Sequence, residues 1–468
     1  MNLNSALYTD LYQLAMGQSY FLKDKHENSA TFDYFFRKNP FEGGYVLFCG
    51  LEEALDWLEN VSFSDDDISY LEAQGFDSNY TNYLKTFKFT GHIKSMSEGE
   101  VVFPFSPILT VSGSIIECQI IETFILNSLN FQSLIATKAS RIRYIAGKDK
   151  SLAEFGLRRA QGFAGLQASR SAYIGGFDYT SNVLAGKAFN IPVSGTMAHA
   201  FIQSYDDELT AFRDFAETRP VNCVLLVDTY DTLKKGVPNA IIVAKEMEAR
   251  GEKLLGIRLD SGDLAYLSNA ARKQLDQAGL DYVKIAASNQ LDEHVIRSLK
   301  EQHAQIDIYG VGTNLVVGKA NGALDGVYKL CSFNDTPRIK ISENLKKMNF
   351  PGKKQVYRYM NQDGQYIADA ITLDHLETPK TMAHPFETHK RMPIEYTSVK
   401  PLLHDVMING KRVHTKKTTA ELVKIAEENL SKLPVEHKRF ANPHVYKVGL
   451  SPELEQLRDQ LKKEKLDS

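Results

Sequence analysis

Short apolar runs alternate with amphipathic stretches through the middle of the chain. The runs are SLAEFG, SAYIGG, IPVSGT, NCVLLVDT, LLGIRLDSGD, DYVKIAASN, IDIYGVGTN and GVYKLCSF. Between most of them lie helical patterns such as PNAIIVAKEMEARG, LSNAARKQLDQAG and LDEHVIRSLKEQHA. Near-continuous apolar runs are what a parallel sheet covered by helices on both faces requires. The order predicts an α/β fold, and eight such runs predict an irregular (β/α)8-type barrel. An open doubly wound sheet is the alternative arrangement.

The flanks are mixed. TDLYQLAMGQSYF sets Leu11, Leu14, Ala15 and Tyr20 at helical spacing, and ATFDYFFRK reads as a strand. EGGYVLFCGLEEALDWLENV reads as strand or turn followed by helix. GHIKSMSEGEVVFPFSPILTVSG holds short β-prone runs broken by glycine and proline, as in a small barrel or sandwich, and a helical pattern runs from Glu117 to about Ala146. Beyond Asn344, KKQVYRYMNQDGQYIADAITL predicts a hairpin around Asp363-Gly364. The charged tail SPELEQLRDQLKKEKLDS predicts a helix capped by Ser451. The expected organisation is an N-terminal α+β domain over 1–125, an α/β barrel over 126–344, and a C-terminal mixed segment over 345–468 packing on or beside the first domain.

A length of 468 residues fits two or three domains. Net charge is −3, so no global basic field draws in nucleic acid, and no nucleic-acid partner is expected. The four cysteines, Cys49, Cys118, Cys223 and Cys331, are far apart and form no CxxC pair, which argues against a zinc or redox motif and suits a reducing compartment. The N-terminus lacks a basic start followed by an apolar stretch, and no apolar run approaches the roughly 18 residues of a membrane span. No membrane association is expected, and the setting expected is cytoplasmic.

Chemistry collects where the predicted strands end, the rim on which parallel α/β folds build sites. The first run ends in Phe155-Gly156 with Arg158 and Arg159, the second in Gly175-Gly176 with Asp178 and Ser181, and the third leads to Thr196 and His199. The fourth supplies Asp228 and Thr229, and the fifth Arg258, Asp260, Ser261 and Asp263. The sixth supplies Ser288-Asn289, and the seventh Gly310, Gly312 and Thr313. Two carboxylates beside glycine-rich turns suit a magnesium ion with a polyol or diphosphate. Backbone amides of GVGTN suit a terminal phosphate. Residue chemistry therefore reaches an enzyme acting on a phosphorylated sugar, without reaching the reaction.

The ordered motifs YTDLYQLAM, FDYFFRKNPFEGGYVLFCGL, LNFQSLIATKASRI, EFGLRRAQG, SGTMAHAF, LLVDTYDT, GIRLDSGDL and YGVGTNLV extend over nearly the whole chain. With them the chain resembles the nicotinate phosphoribosyltransferases, within the type II phosphoribosyltransferases. The resemblance implies that nicotinate and 5-phosphoribosyl 1-diphosphate give nicotinate mononucleotide and diphosphate, coupled to ATP hydrolysis. In the family the histidine of GTxAH is transiently phosphorylated by ATP, and His199 holds that position. A neutral imidazole is a good phosphoryl acceptor near neutral pH.

By the same resemblance Asp260 holds ribose hydroxyls or magnesium, Asp228 assists through the metal shell, and Ser288, Asn289, Gly312 and Thr313 cradle the 5-phosphate. Phe155 stacks on the pyridine ring, Arg158 follows it in the substrate pocket, and Arg258 with Thr196 meets the carboxylate. Asp10 and Tyr12, from a second subunit, cover the ring, which implies a homodimer with shared sites. Arg159 and Lys138 are candidates for holding the leaving diphosphate. The cofactors implied are ATP as co-substrate and Mg2+; the metal ligands are not assigned.

Three rival functions share these features. Nicotinamide phosphoribosyltransferases are similar, but carry an aspartate where Ser181 stands here, and an aspartate repels the carboxylate of nicotinate. A sugar-phosphate aldolase needs a Schiff-base lysine ending a strand, whereas Lys284 begins its run. A non-catalytic binder of phosphorylated metabolites has no need of the histidine, arginines and acids found together here.

Overall fold

Aliphatic side chains fill the short runs of the middle chain, and most of them are buried in its strands. In the computed structural model, which describes residues 4–343, 347–387 and 389–467, the chain divides into two units. One is Ile135–Gly322; the other joins Met1–Leu134 to Ala323–Ser468. The boundary expected near 344 falls outside the described residues.

The contiguous unit holds six strands, β1 (Ser151–Glu154), β2 (Tyr179–Thr180), β3 (Val224–Leu226), β4 (Gly256–Leu259), β5 (Lys284–Ala287) and β6 (Ile308–Val311). They form one sheet in the order β2-β1-β6-β5-β4-β3, with every pair parallel. Leu225 lies opposite Ile257, and Ile257 opposite Ile285. All three are fully buried against Val243, Ala271 and Leu275 of the intervening helices. Three helices of this unit start on aspartates whose side chains accept backbone N–H groups: Asp207 from Thr210, Asp263 from Tyr266, and Asp292 from His294 and Val295. Each such cap stabilises its helix by about 0.5–2 kcal/mol.

The mixed α/β architecture and the irregular barrel-like parallel sheet are as the pattern predicts, but the sheet is a six-stranded half-barrel. Three of the eight runs lie outside it: one is helical, one contributes only a bridge, and one is a strand of the other unit. Ser171–Ile174 closes the helix Ala164–Ile174 instead of forming a strand. Its alternating small and apolar residues are buried on more than one helix face, so periodicity does not distinguish the two forms. IPVSGT contributes only the bridge between Val193 and Thr180. GVYKLCSF forms the strand Gly326–Phe333 in the other unit.

In that other unit a seven-stranded sheet has Ser29–Phe36 near its centre, paired antiparallel with Leu109–Ser114 on one side and Gly326–Phe333 on the other. The predicted C-terminal hairpin is present, Lys354–Met360 against Tyr366–Leu373, with Gly364 at φ +73° in its turn. Ser451 caps the final helix, Pro452–Asp467, by accepting from the backbone N–H of Leu454. The helical pattern predicted from Glu117 is two helices, Ile115–Ile120 and Glu122–Ala146.

The core of this unit is aromatic, with Trp57 stacked on Phe124 at 3.9 Å. It also contains paired charges. Lys354 meets Asp33 at 2.8 Å, and Arg358 meets Asp369 at 2.7 Å and Glu100 at 2.6 Å, all buried. Removing one partner of such a pair costs about 3–5 kcal/mol, because the other is left charged and dry. Asp10 precedes the helix Leu11–Leu22, and its carboxylate accepts from the Thr123 hydroxyl at 2.7 Å. Tyr12 stands in the first turn, 51% exposed. All four cysteines are buried. Among the described residues no helix is long and apolar enough to cross a membrane.

Candidate active site

A parallel sheet puts all its strand ends on one rim, and six consecutive loops here leave from it. Arg258 lies within β4, two residues before Asp260, so a period of two aims both side chains to the same face. Its guanidinium is a hub. Nε donates to Ser288 Oγ at 2.9 Å, Nη1 to Thr196 Oγ1 at 3.1 Å, and Nη2 to Asp260 Oδ1 at 2.9 Å. Ser288, directly after β5, also donates to Asp260 Oδ1. The guanidinium carbon stands 5.8 Å from the centre of the Phe155 ring, within cation–π range.

Phe155 follows β1, and its backbone N–H donates to Val311 O of β6 at 2.9 Å. Its ring occupies the space a side chain at 310 would need: a Cβ on Gly310 would stand 2.5 Å from ring atom Cε2. Gly312 is less tightly fitted: a Cβ there would meet the Phe155 carbonyl oxygen at 3.1 Å. Thr313 opens a four-residue helical turn to Val316. After β5, Asn289 and Gln290 both adopt positive φ, +83° and +53°. That loop is held by Asn314, whose side-chain amide donates to Gln290 O at 2.8 Å.

His199 begins the short helix His199–Gln203. Nδ1 lies 3.1 Å from Thr229 Oγ1. Nε2 faces two carboxylates, 4.0 Å from Asp228 Oδ1 and 3.9 Å from Asp260 Oδ2. Asp228 is anchored by its other oxygen, which accepts from the Asp260 backbone N–H at 2.8 Å and the Ser261 hydroxyl at 2.6 Å. Burial works to raise the Asp260 carboxyl, but the Ser288 hydrogen bond and the charges of Arg258 and His199 outweigh it and hold it below the usual aspartate range.

Among the described residues no group of three or more histidine, cysteine or acidic side chains is placed to hold a metal ion. Magnesium needs less, because it keeps several waters and takes one or two carboxylates plus substrate phosphates. Asp228 Oδ1 is buried and has no hydrogen-bond partner. It faces His199 together with Asp260 Oδ2, so this pair of oxygens fits that limited demand.

The structure thus brings together His199, Asp228, Asp260, Arg258, Thr196, Ser288 and Phe155, with Gly312 against the Phe155 backbone. Arg158 and Arg159 lie exposed on the turn Leu157–Arg159. Asp10 and Tyr12 belong to the other unit. Two rim residues also have structural work: Asp263 is a helix cap, and Asp178 pairs with Arg143 at 2.6 Å. Lys138, within the helix Glu122–Ala146, is buried against Glu293 at 2.6 Å, a carboxylate it shares with Arg141. Two polar residues go beyond the sequence reading, Glu154 and Asn314. Glu154 carries no periodic signal inside a four-residue strand, and Asn314 is visible only as the last letter of GVGTN.

Models of three nicotinate phosphoribosyltransferase regions match the chain: the N-terminal domain over residues 7–130, the family model over 150–376 and the C-terminal domain over 353–458. The chain is 46% identical to nicotinate phosphoribosyltransferase of Bacillus subtilis over 95% of its own length and 93% of the relative's. It is 36% identical to the Caenorhabditis elegans enzyme of that name, over 96% and 92%. The crystal structure of human nicotinic acid phosphoribosyltransferase superposes with a TM-score of 0.86 at 30% identity, covering 97% of this chain and 99% of that one. With matched regions spanning the chain and a relative of 46% identity along nearly all of it, this protein belongs to the nicotinate phosphoribosyltransferase family and is an enzyme of that type.

Proposed function

We propose that the protein transfers the phosphoribosyl group of 5-phosphoribosyl 1-diphosphate to the ring nitrogen of nicotinate, coupled to ATP hydrolysis through phosphorylation of His199. The products are nicotinate mononucleotide and diphosphate. The observation that carries this reading is the Arg258 hub, which joins Thr196, Ser288 and Asp260 beside the Phe155 ring, with His199 facing the same Asp260.

Phe155 offers its face to the pyridine ring. Arg258 and Thr196 meet the nicotinate carboxylate, and Ser181 adds a neutral polar group that does not repel it. As the C1–O bond to diphosphate breaks, positive charge grows on the sugar carbon, and the Asp260 carboxylate stabilises it. The pyridine nitrogen supplies its lone pair to the opposite face of C1. Ser288, Asn289, Gly312 and Thr313 take the 5-phosphate, and Arg158 or Arg159, both exposed, takes charge from the leaving group.

Nδ1 of His199 accepts the γ-phosphoryl group of ATP as ADP leaves, the carboxylates opposite Nε2 hold the proton that the ring keeps, and water then takes the phosphoryl group as phosphate and restores the imidazole. Asp228 Oδ1 and Asp260 Oδ2 would hold Mg2+, whose chemistry there is neutralisation of phosphate charge. Asp10 and Tyr12 of a second copy close the ring site, making the functional unit a homodimer. Partial burial, then the charges of Glu122 and Asp10, raise the Tyr12 phenol, which keeps the covering ring neutral. Buried cysteines suit a reducing, cytoplasmic setting.

The test is a product assay with phosphoribosyl diphosphate and either nicotinate or nicotinamide, with and without ATP. Mononucleotide should form from nicotinate in strong preference, and faster with ATP. Ser181→Asp should lower nicotinate use by at least about tenfold, the worth of one charge-assisted contact. Preference for nicotinamide by the unaltered protein would overturn the assignment.

A further inference from the structure

Glu154 ends β1 with a side chain that is 1% exposed. Its carboxylate folds back on its own chain and accepts the backbone N–H of Gly156, so the turn between them wraps around Phe155. The other oxygen accepts the hydroxyl of Thr180 at 2.6 Å and that of Ser169 at 2.9 Å. Its carbonyl oxygen accepts the backbone N–H of Ser181 at 2.8 Å. One residue therefore grips both neighbours in the pocket: the turn that presents the ring platform, and the loop that carries Ser181.

The direction of these hydrogen bonds explains why the group is a carboxylate. Thr180 Oγ1 already accepts from the Asn182 backbone N–H at 3.0 Å, so its single hydrogen has to find an acceptor. Ser169 Oγ also accepts from the Asn182 side-chain amide at 3.2 Å, and its hydrogen is shared between Glu154 and the Gly165 carbonyl oxygen, 2.9 Å away. An ionised carboxylate only accepts, so it satisfies all three donors at once. A glutamine of the same shape would turn an N–H pair toward one side of the cluster. From this geometry we infer that Glu154 is a positioning residue, holding Phe155 and Ser181 in one register so that the pocket reads both the ring and the carboxylate of its substrate. The inference rests on the function proposed above.

Four variants test it: Glu154→Gln, Thr180→Val, Thr180→Ser, and the double variant Glu154→Gln/Thr180→Val. KM is measured separately for nicotinate and for phosphoribosyl diphosphate, along with kcat, ATP hydrolysis and Tm. Glu154→Gln and Thr180→Val should each raise the nicotinate KM roughly tenfold, while the KM for phosphoribosyl diphosphate and ATP hydrolysis change by less than about twofold. Thr180→Ser, which keeps the hydroxyl, should restore the nicotinate KM. The double variant should fall short of the product of the two single effects, because both remove the bond between Thr180 and Glu154.

An unchanged nicotinate KM in Glu154→Gln and Thr180→Val overturns the inference. So does a uniform loss of kcat and both KM values that follows Tm, which would mark Glu154 as structural only. If Glu154→Gln does not fold, the Thr180→Val and Thr180→Ser pair decides alone. Failure of the underlying function is a separate result: the unaltered protein would then form no mononucleotide from nicotinate.

Discussion

The hydroxyl of Thr229 stands 3.1 Å from Nδ1 of His199, on the side of the ring away from the two carboxylates that face Nε2. The imidazole is therefore held between a neutral group and an acidic pair, which favours the tautomer with its proton on Nε2. Thr229→Val removes the neutral contact and lets the ring turn. Phosphate release from ATP should slow roughly tenfold, about the worth of one hydrogen bond, with little change in the nicotinate KM. Thr229→Ser should behave like the unaltered protein. An acid-labile label from γ-labelled ATP should be absent from His199→Asn, whereas some uncoupled phosphoribosyl transfer survives.

Gly310 allows Phe155 its place. A methyl group at 310 would stand 2.5 Å from the ring and 3.3 Å from the Ser288 Cβ. Gly310→Ala should displace the ring and raise the nicotinate KM by at least about tenfold, with a stability loss of about 1–3 kcal/mol from overpacking. Steady-state kinetics together with thermal unfolding separates the two effects.

The depressed Asp260 carboxyl sets a pH window. A carboxyl that ionises more readily in the folded chain stabilises it above the unfolded value, about 3.9, and that contribution fades as pH falls through the lower folded value. The stability difference between the protein and Asp260→Asn should be present at about pH 5 and should shrink as pH falls below about 4. Denaturant unfolding over a pH series measures it; a difference that grew on acidification would contradict the charge network drawn around Arg258.

Shared sites make a complementation prediction. Tyr12→Ala and Arg258→Ala should each be nearly inactive alone, and mixed dimers made by co-expression should regain partial activity. Each mixed dimer keeps one site with both residues intact. Absence of rescue, with mixed dimers shown to form, counts against a shared site.

Much of the site was legible because parallel strands end on one rim, so a residue just after a predicted strand already has an address. Asp228, Ser288 and Phe155 were placed at the strand ends in this way. The same rule also picks out Asp263, which caps the helix Leu264–Gln277, because an aspartate after a strand is also what a following helix needs. Ser171–Gly176 looked like a strand because a short apolar run carries too few residues to separate a period of 2 from 3.6. Gly326–Phe333 is a strand as expected, but its partner Ser29–Phe36 lies about 300 residues earlier, and no local pattern encodes that choice. The Glu154 network is invisible for a related reason: its donors come from three separate stretches of chain.

That distant pairing also orders the events of synthesis. Ser29–Phe36 gains its Leu109–Ser114 neighbour early, but its other edge stays open until residues 326–333 leave the ribosome. The parallel-sheet unit, Ile135–Gly322, is made in one piece during that interval and can fold first. An open strand edge is a template for wrong pairing. The nascent chain is therefore most exposed to aggregation after the parallel sheet is complete and before Gly326–Phe333 arrives. Pauses in translation before residues 326–333 have cleared the exit tunnel would lengthen that exposure, whereas pauses after the strand has emerged would not.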